Sequence, residues 1–107
     1  MQNVPEVSVQ ELPADAVILD VREDDEWAAG HVEGATHVPL GEVPQRLGEL
    51  PDADPLYIIC RSGNRSGRAA AWLGQQGVDS VNVAGGMRAW AAAGRPMVAD
   101  SGNPTVI

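Results

Sequence analysis

Two short runs of consecutive apolar residues restrict the fold of this chain more than any other feature. Val17-Ile18-Leu19 and Leu56-Tyr57-Ile58-Ile59 are nearly continuous rather than alternating with polar residues. Strands have this pattern when both faces of their sheet are covered, which is the rule in parallel sheets. The two runs therefore predict central strands of a parallel sheet with helices on both faces.

Strand and helix patterns alternate along the rest of the chain. Shorter β-branched runs predict three further strands, at 7–9, 37–38 and 81–83. Between the strands, capping signals and apolar spacing predict helices at 24–29, 43–50, 66–76 and 87–93. This alternation predicts an α/β fold with an open, mainly parallel five-stranded sheet and right-handed crossovers.

The length of 107 residues is typical of one domain. We expect that domain at residues 1–95, followed by a loosely attached C-terminal tail at 96–107. The single cysteine excludes an internal disulfide, and a zinc site with four Cys or His ligands is not expected. Residues 1–12 lack the features of a leader, and no run reaches the ~18 apolar residues of a membrane span. A cytoplasmic protein without membrane attachment is expected.

The charge of the chain is unevenly distributed. The net charge is -8, and all seven basic residues are arginines, which argues against general binding to nucleic acid or to an anionic membrane. Residues 55–78 nevertheless contain no Asp or Glu, and Arg61, Arg65 and Arg68 lie close together within them. This acidic protein therefore has one basic segment.

The stretch Cys60-Arg61-Ser62-Gly63-Asn64-Arg65-Ser66-Gly67 follows the most apolar strand and opens a predicted helix. Open α/β sheets bind their ligands at this position. A loop that curls into a helix N-terminus directs backbone amides inward and forms an anion cradle. Gly63 and Gly67 permit the backbone angles and close approach that such a curl needs.

Cys60 lies at the start of this cradle. Helix N-termini and nearby cations lower a cysteine pKa from about 8.5 to roughly 3.5–7.5, which would make Cys60 a nucleophile near neutral pH. The alternative is a small inert side chain that ends a buried strand. The glycines and arginines that follow favour the catalytic interpretation.

Four motifs in order make the sequence resemble the rhodanese family over nearly the whole domain. Residues 60–66, the cysteine loop, resemble the family's active-site loop, in which a cysteine and the next five residues surround the transferred sulfur. The family's N-terminal signature is similar to Asp20-Val21-Arg22-Glu23, followed by Gly30-His31-Val32-Glu33-Gly34-Ala35 and Val38-Pro39-Leu40. Its C-terminal signature is similar to Val83-Ala84-Gly85-Gly86-Met87-Arg88-Ala89-Trp90.

The resemblance implies a sulfurtransferase that needs no cofactor or metal. The catalytic residue would be Cys60, which takes a sulfane sulfur from thiosulfate or a similar anionic donor and passes it, as a persulfide, to cyanide or a thiol. A partner protein is an alternative acceptor. The resemblance also implies that the substrate is held by the loop residues Arg61, Ser62, Gly63, Asn64, Arg65 and Ser66.

Two further functions remain open on the sequence. A phosphatase or arsenate reductase also uses a cysteine, a downstream arginine and an amide-lined loop. In those enzymes, the loop has one more residue between the cysteine and the arginine than this chain has between Cys60 and Arg65. The longer loop forms a wider ring, which suits a tetrahedral oxyanion. A persulfide carrier or a non-catalytic interaction module for a partner protein is the alternative from another class.

Two pairs of polar residues outside the loop are interpreted as structural. Asp20 and Arg22 are expected to form a charge pair near a strand end, because buried charges need partners. His31 and His37 lack the further ligands of a metal site and are expected to form turn or core hydrogen bonds.

Glycines and tryptophans also have structural explanations. Gly85-Gly86 lacks the Lys-Ser/Thr of a nucleotide-binding loop, so it predicts a tight turn between a strand and a helix. The three tryptophans are expected to contribute core area, with the wall of a ligand pocket as an alternative role: Trp27, Trp72 and Trp90.

Overall fold

A computed structural model describes residues 4–107 and contains a five-stranded sheet. The strands are β1 (Glu6–Val7), β2 (Ile18–Asp20), β3 (Thr36–His37), β4 (Leu56–Ile59) and β5 (Ser80–Val83). Their order is β1-β5-β4-β2-β3, and every pairing is parallel. The predicted α/β class with a five-stranded parallel sheet is confirmed. Residues 1–3 of the predicted domain lie outside the described residues.

The described residues contain three α-helices: α1 (Asp24–Ala29) connects β2 to β3, α2 (Asn64–Gln75) connects β4 to β5, and α3 (Gly86–Ala92) follows β5. They agree with three of the four predicted helices. The fourth, predicted over 43–50, is wrong: the chain forms 3₁₀ turns at Leu40–Glu42 and Leu47–Glu49 instead. Gly48 lies within the predicted segment and disfavours helix, so the apolar spacing alone does not produce one. No helix within residues 4–107 has both the length and the apolar character needed to cross a membrane.

Core side chains cover both faces of the sheet. Along β4, Leu56 and Ile58 belong to a cluster that packs with α2, whereas Ile59 belongs to a second cluster that packs with α3. In β2, Leu19 faces the first cluster and Ile18 the second. Successive strand residues point to opposite faces, so a strand buried on both sides must be apolar throughout. This explains the continuous runs and confirms helices on both faces.

The C-terminal segment is attached more tightly than expected. His31 and Val98 exchange backbone hydrogen bonds of 2.8 and 2.9 Å, and the Thr105 amide donates to the Ala29 carbonyl at 2.9 Å. The segment packs directly against Gly30, since a Cβ added to this glycine would lie only 2.4 Å from the Thr105 carbonyl oxygen. The expectation of loose attachment is wrong, because the segment pairs with backbone groups that the end of α1 leaves without partners.

Candidate active site

Cys60 follows the last residue of β4, which has β5 on one side and β2 on the other. The residue is only 1% exposed. The chain then turns through residues 61–63 and enters α2 at Asn64. The cysteine therefore lies at the carboxyl end of a central parallel strand, where this class of sheet forms its ligand sites.

Hydrogen bonds converge on the Cys60 sulfur from the cysteine loop. The Gly63 amide lies 3.1 Å and the Ser66 hydroxyl oxygen 3.2 Å from Sγ. Gly63 has φ +106°, a left-handed conformation that favours glycine and directs its amide toward the sulfur. Burial by itself raises the pKa of the Cys60 thiol. The hydrogen bonds from the Ser66 hydroxyl and from the amides of Ser66, Gly63 and Ser62 outweigh burial, so the pKa is lowered.

The first turn of α3 anchors the beginning of the cysteine loop. The Met87 amide donates to the Cys60 carbonyl at 2.7 Å, and the Arg88 amide donates to the Arg61 carbonyl at 3.0 Å. A Cβ on Gly86 would lie 2.3 Å from the Cys60 carbonyl oxygen. Gly85 and Gly86 both have positive φ, which confirms the predicted tight turn. The sequence did not indicate that this turn also holds the loop.

Asn82 is a site residue that the sequence analysis missed. Its Oδ1 lies 2.6 Å from the Ser66 hydroxyl, and its Nδ2 donates to the Gly63 carbonyl at 3.1 Å. Nδ2 also donates to the exposed Glu6 carboxylate at 2.8 Å. Asn82 is 2% exposed and stands between two valines in β5. A polar side chain within an apolar strand was the signal that could have identified it.

The two arginines of the cysteine loop have different partners. Arg65 donates from both terminal nitrogens to the Glu26 carboxylate, at 2.7 and 2.8 Å. Chiefly through this hydrogen bond, the pKa of Glu26 falls to about 2 and that of Arg65 is raised. Arg61 is exposed and donates to the carbonyl of Ile107 at 3.0 Å. Glu26 thus compensates the charge of Arg65, whereas within residues 4–107 the exposed Arg61 has no carboxylate side chain bound to it.

The remaining members of the predicted site and its basic cluster lie on the surface of the loop and of α2. Ser62 and Asn64 are exposed, and so is Arg68 on the next turn of the helix. The structure therefore groups Cys60, Gly63 and Ser66 by direct contact. It places the other loop residues around that group.

A family model described as a rhodanese-like domain matches residues 7–93. This chain belongs to the rhodanese-like family. The solved structure of a rhodanese-related protein from Thermoplasma volcanium resembles this rhodanese-like domain with a TM-score of 0.82 and 30% identity, covering 88% of this chain and 97% of that one.

Two curated relatives carry names that refer to sulfur. The "Sulfurtransferase" of Allochromatium vinosum is 42% identical over 82% of this chain and 83% of that protein. The "Putative sulfur carrier protein YrkF" of Bacillus subtilis is 45% identical over 82% of this chain, which spans 51% of that protein. Family membership and these names support sulfur transfer, and a transferase, in general terms.

The predicted charge pair of this rhodanese-like domain is confirmed as structural. The Asp20 carboxylate and the Arg22 guanidinium lie 2.8 Å apart, and both side chains are fully buried. Arg22 also donates to the Gly30 carbonyl at 2.7 Å. The pair joins the end of β2 to the end of α1, and each charge has an internal partner, as buried charges require. Among residues 4–107, however, Nη1 of Arg22 is buried without a hydrogen-bond partner.

The two histidines stack on either side of one tryptophan. Their ring centroids lie 3.7 Å (His31) and 4.7 Å (His37) from that of Trp27. Each also binds a backbone carbonyl through one ring nitrogen at 2.7 Å, so the predicted hydrogen-bonding role is confirmed.

Trp90 is buried in the core as expected, whereas Trp27 and Trp72 are half-buried. Residues 4–107 contain no group of three or more His, Cys, Asp or Glu side chains placed to hold a metal.

Proposed function

We propose that this domain is a sulfurtransferase that carries sulfane sulfur as a persulfide on Cys60. The observation that carries the proposal is the buried Cys60 sulfur, which accepts hydrogen bonds from the Gly63 amide and the Ser66 hydroxyl. These contacts lower the pKa of the thiol and so increase the fraction of thiolate at a given pH. The proposed donor is thiosulfate or a similar anion, and the proposed acceptor is cyanide or a thiol.

The reaction has two displacement steps. The Cys60 thiolate attacks the sulfane sulfur of the donor, a new S–S bond forms, and the leaving group departs with the electron pair of the broken bond. With thiosulfate, the leaving group is sulfite and the negative charge resides on the outer sulfur of the persulfide. The acceptor then attacks that sulfur, and the Cys60 thiolate leaves. Neither displacement demands a general base.

The loop residues have proposed roles as a group. The amides at the start of α2 have no intrahelical acceptor and are available to the persulfide charge, as preorganised dipoles. Arg61 attracts the anionic donor, and Arg65 contributes less because Glu26 compensates its charge. The proposed set is Cys60 as nucleophile, with the substrate held by Arg61, Ser62, Gly63, Asn64, Arg65 and Ser66.

We further propose a boundary between the catalytic domain and the tail. Residues 1–95 would form the domain, and residues 96–107 would form a tail that pairs with α1. The tail also reaches the cysteine loop, where the Ile107 carbonyl accepts from Arg61.

A second candidate is a persulfide carrier for a partner protein. It is favoured by the name of the sulfur carrier relative, of which this chain spans about half. Carrier and enzyme share the loading step and differ in the acceptor.

Two observations disfavour a phosphatase. Four residues separate Cys60 from Arg65, which gives a small ring around one sulfur atom. Arg65 is also bound on both terminal nitrogens by Glu26, so it is not free to bind two oxygens of a phosphate.

Intact-mass analysis after incubation with thiosulfate tests the proposal. We expect the wild type to gain one sulfur atom that cyanide removes, and the matched Cys60→Ser variant to gain none. Because Cys60 is the only cysteine, any thiol-linked sulfur reports on this position. No mass gain in the wild type, or faster hydrolysis of an aryl phosphate than desulfuration of thiosulfate, would refute the proposal.

A further inference from the structure

The Ser66 hydroxyl lies between two acceptors. Its oxygen is 3.2 Å from the Cys60 sulfur and 2.6 Å from Oδ1 of Asn82. Ser66 is fully buried and Asn82 is 2% exposed, so bulk water does not replace either contact. A hydroxyl has one proton and donates one hydrogen bond. Ser66 therefore cannot donate to a Cys60 thiolate and to Asn82 at the same time.

The orientation of the Asn82 amide is fixed by its other partners. Nδ2 donates to the Gly63 carbonyl at 3.1 Å and to the Glu6 carboxylate at 2.8 Å. Both partners are acceptors, so the amide nitrogen must face them and the amide oxygen must face Ser66. Asn82 is therefore always an acceptor toward the Ser66 hydroxyl.

We propose that Asn82 is a positioning residue that competes with the Cys60 sulfur for the single proton of the Ser66 hydroxyl. In the thiol form, Ser66 donates to Asn82 and accepts the S–H proton of Cys60. In the thiolate form, the hydroxyl turns to the sulfur and leaves Oδ1 of Asn82 without that donor. An unpaired buried acceptor costs free energy, and this cost falls on the thiolate alone.

The same competition acts during sulfur loading, a consequence that rests on the function proposed above. In the persulfide, the negative charge lies on the outer sulfur, so Sγ becomes a weaker acceptor. Ser66 then returns to Asn82, and the cost is relieved. Asn82 thus destabilises the empty thiolate relative to the loaded form. The nucleophilicity of a thiolate falls as the pKa of its thiol falls. Because Asn82 raises the Cys60 pKa, it also makes the Cys60 thiolate more nucleophilic than it would be if Ser66 donated to the sulfur without competition.

The test is the Cys60 pKa, measured from the pH dependence of alkylation by iodoacetamide. Four proteins are compared: the wild type, Asn82→Ala, Ser66→Ala and the double variant. We expect Asn82→Ala to lower the pKa by about 1 to 2 units, the size of one hydrogen bond gained by a charged group. In the Ser66→Ala background, the Asn82 substitution is expected to cause no such fall.

A purely structural role for Asn82 predicts a different pattern. If Asn82 only holds the loop through the Gly63 carbonyl, its loss displaces the Gly63 amide and raises the Cys60 pKa equally with and without the Ser66 hydroxyl. That result would overturn the proposal. If the alanine variant does not fold, Asn82→Leu gives the same comparison, because leucine fills the space of the asparagine side chain without its hydrogen-bonding groups.

Mass analysis of thiosulfate-treated wild type separates this proposal from the proposed function. A wild type that takes up no sulfur contradicts the function, whereas the coupling between Asn82 and Ser66 would still stand. Sulfur uptake without that coupling contradicts only the role of Asn82.

Discussion

Replacement of Gly86 by alanine is expected to displace the cysteine loop, because the glycine lies against the loop's backbone. The new Cβ would lie 2.3 Å from the Cys60 carbonyl oxygen and 2.7 Å from the Arg61 carbonyl group. Neither contact is with a flexible side chain that can move aside. The loop, the first turn of α3, or both must shift.

The Gly94→Ala variant is a matched control at the other end of α3. Gly94 has φ +70° and Gly86 has φ +57°, so alanine pays a similar left-handed backbone cost at each position. Apart from its neighbours along the chain, a Cβ on Gly94 would meet no heavy atom of residues 4–107 within 4 Å. We expect the control to lose about 1–2 kcal/mol of unfolding free energy, which is the backbone cost alone.

Gly86→Ala is expected to lose about 3–4 kcal/mol, because the clash also weakens two hydrogen bonds worth about 1 kcal/mol each. These are the bonds from the amides of Met87 and Arg88 to the carbonyls of Cys60 and Arg61, at 2.7 and 3.0 Å. The rate of sulfur loading is expected to fall more than about tenfold, since small displacements of catalytic groups are costly.

Urea unfolding measures the stability of both variants, and the rate of mass gain from thiosulfate measures loading. The control is expected to load sulfur within about twofold of the wild-type rate, because its site is unchanged. Equal stability losses in the two variants, together with normal loading by Gly86→Ala, would refute the argument that α3 anchors the loop.

Three further predictions concern the charges of the site. The lowered pKa of Glu26, about 2, means that its pair with Arg65 stabilises the fold fully above about pH 4.5 and loses this effect as pH falls toward 2. Glu26→Gln should therefore lower the unfolding free energy measured in urea at pH 7 by about 1–2 kcal/mol, a value reduced for solvent screening because Arg65 is 30% exposed. The variant's stability should also depend less on pH between about 2 and 4.5 than that of the wild type. The same pH dependence in both proteins would contradict this. The same variant leaves Arg65 without its carboxylate partner, so the apparent KM for thiosulfate should fall at low salt. An unchanged KM would exclude Arg65 from donor capture. Wild-type alkylation at Cys60 should have its midpoint below about pH 8.5, the usual value for a cysteine, and a midpoint at or above that value would contradict the hydrogen-bonded thiolate.

Patterns of neighbouring residues predicted most of the fold. The continuous runs in β2 and β4 identified central parallel strands, because such strands are covered on both faces. The acidic first turn and following glycine gave the bounds of α1. The helix prediction at 43–50 was wrong because it relied on apolar spacing, whereas Gly48 disfavours helix and the chain forms 3₁₀ turns.

The candidate site was predictable only where its residues are consecutive. Residues 60–66 form one loop, so their glycines, arginines and single cysteine were visible together. Asn82, Glu26 and Gly86 reach this loop from β5, α1 and α3. The position of Asn82 between two valines marks it as unusual, but the local sequence at these three positions does not specify which loop residues they contact.

The sequence by itself determined the parallel α/β sheet, the position of Cys60 after a central strand and the turn of the following loop into a helix N-terminus. Those properties depend on strand burial, backbone angles and helix N-termini, all of which act over a few neighbouring residues. Only the tertiary structure decided that Glu26 compensates Arg65, that α3 holds the loop, and that the Ser66 hydroxyl lies between Asn82 and Cys60. These contacts join residues 16 to 39 positions apart, and the packing of the helices on the sheet brings them within hydrogen-bonding distance.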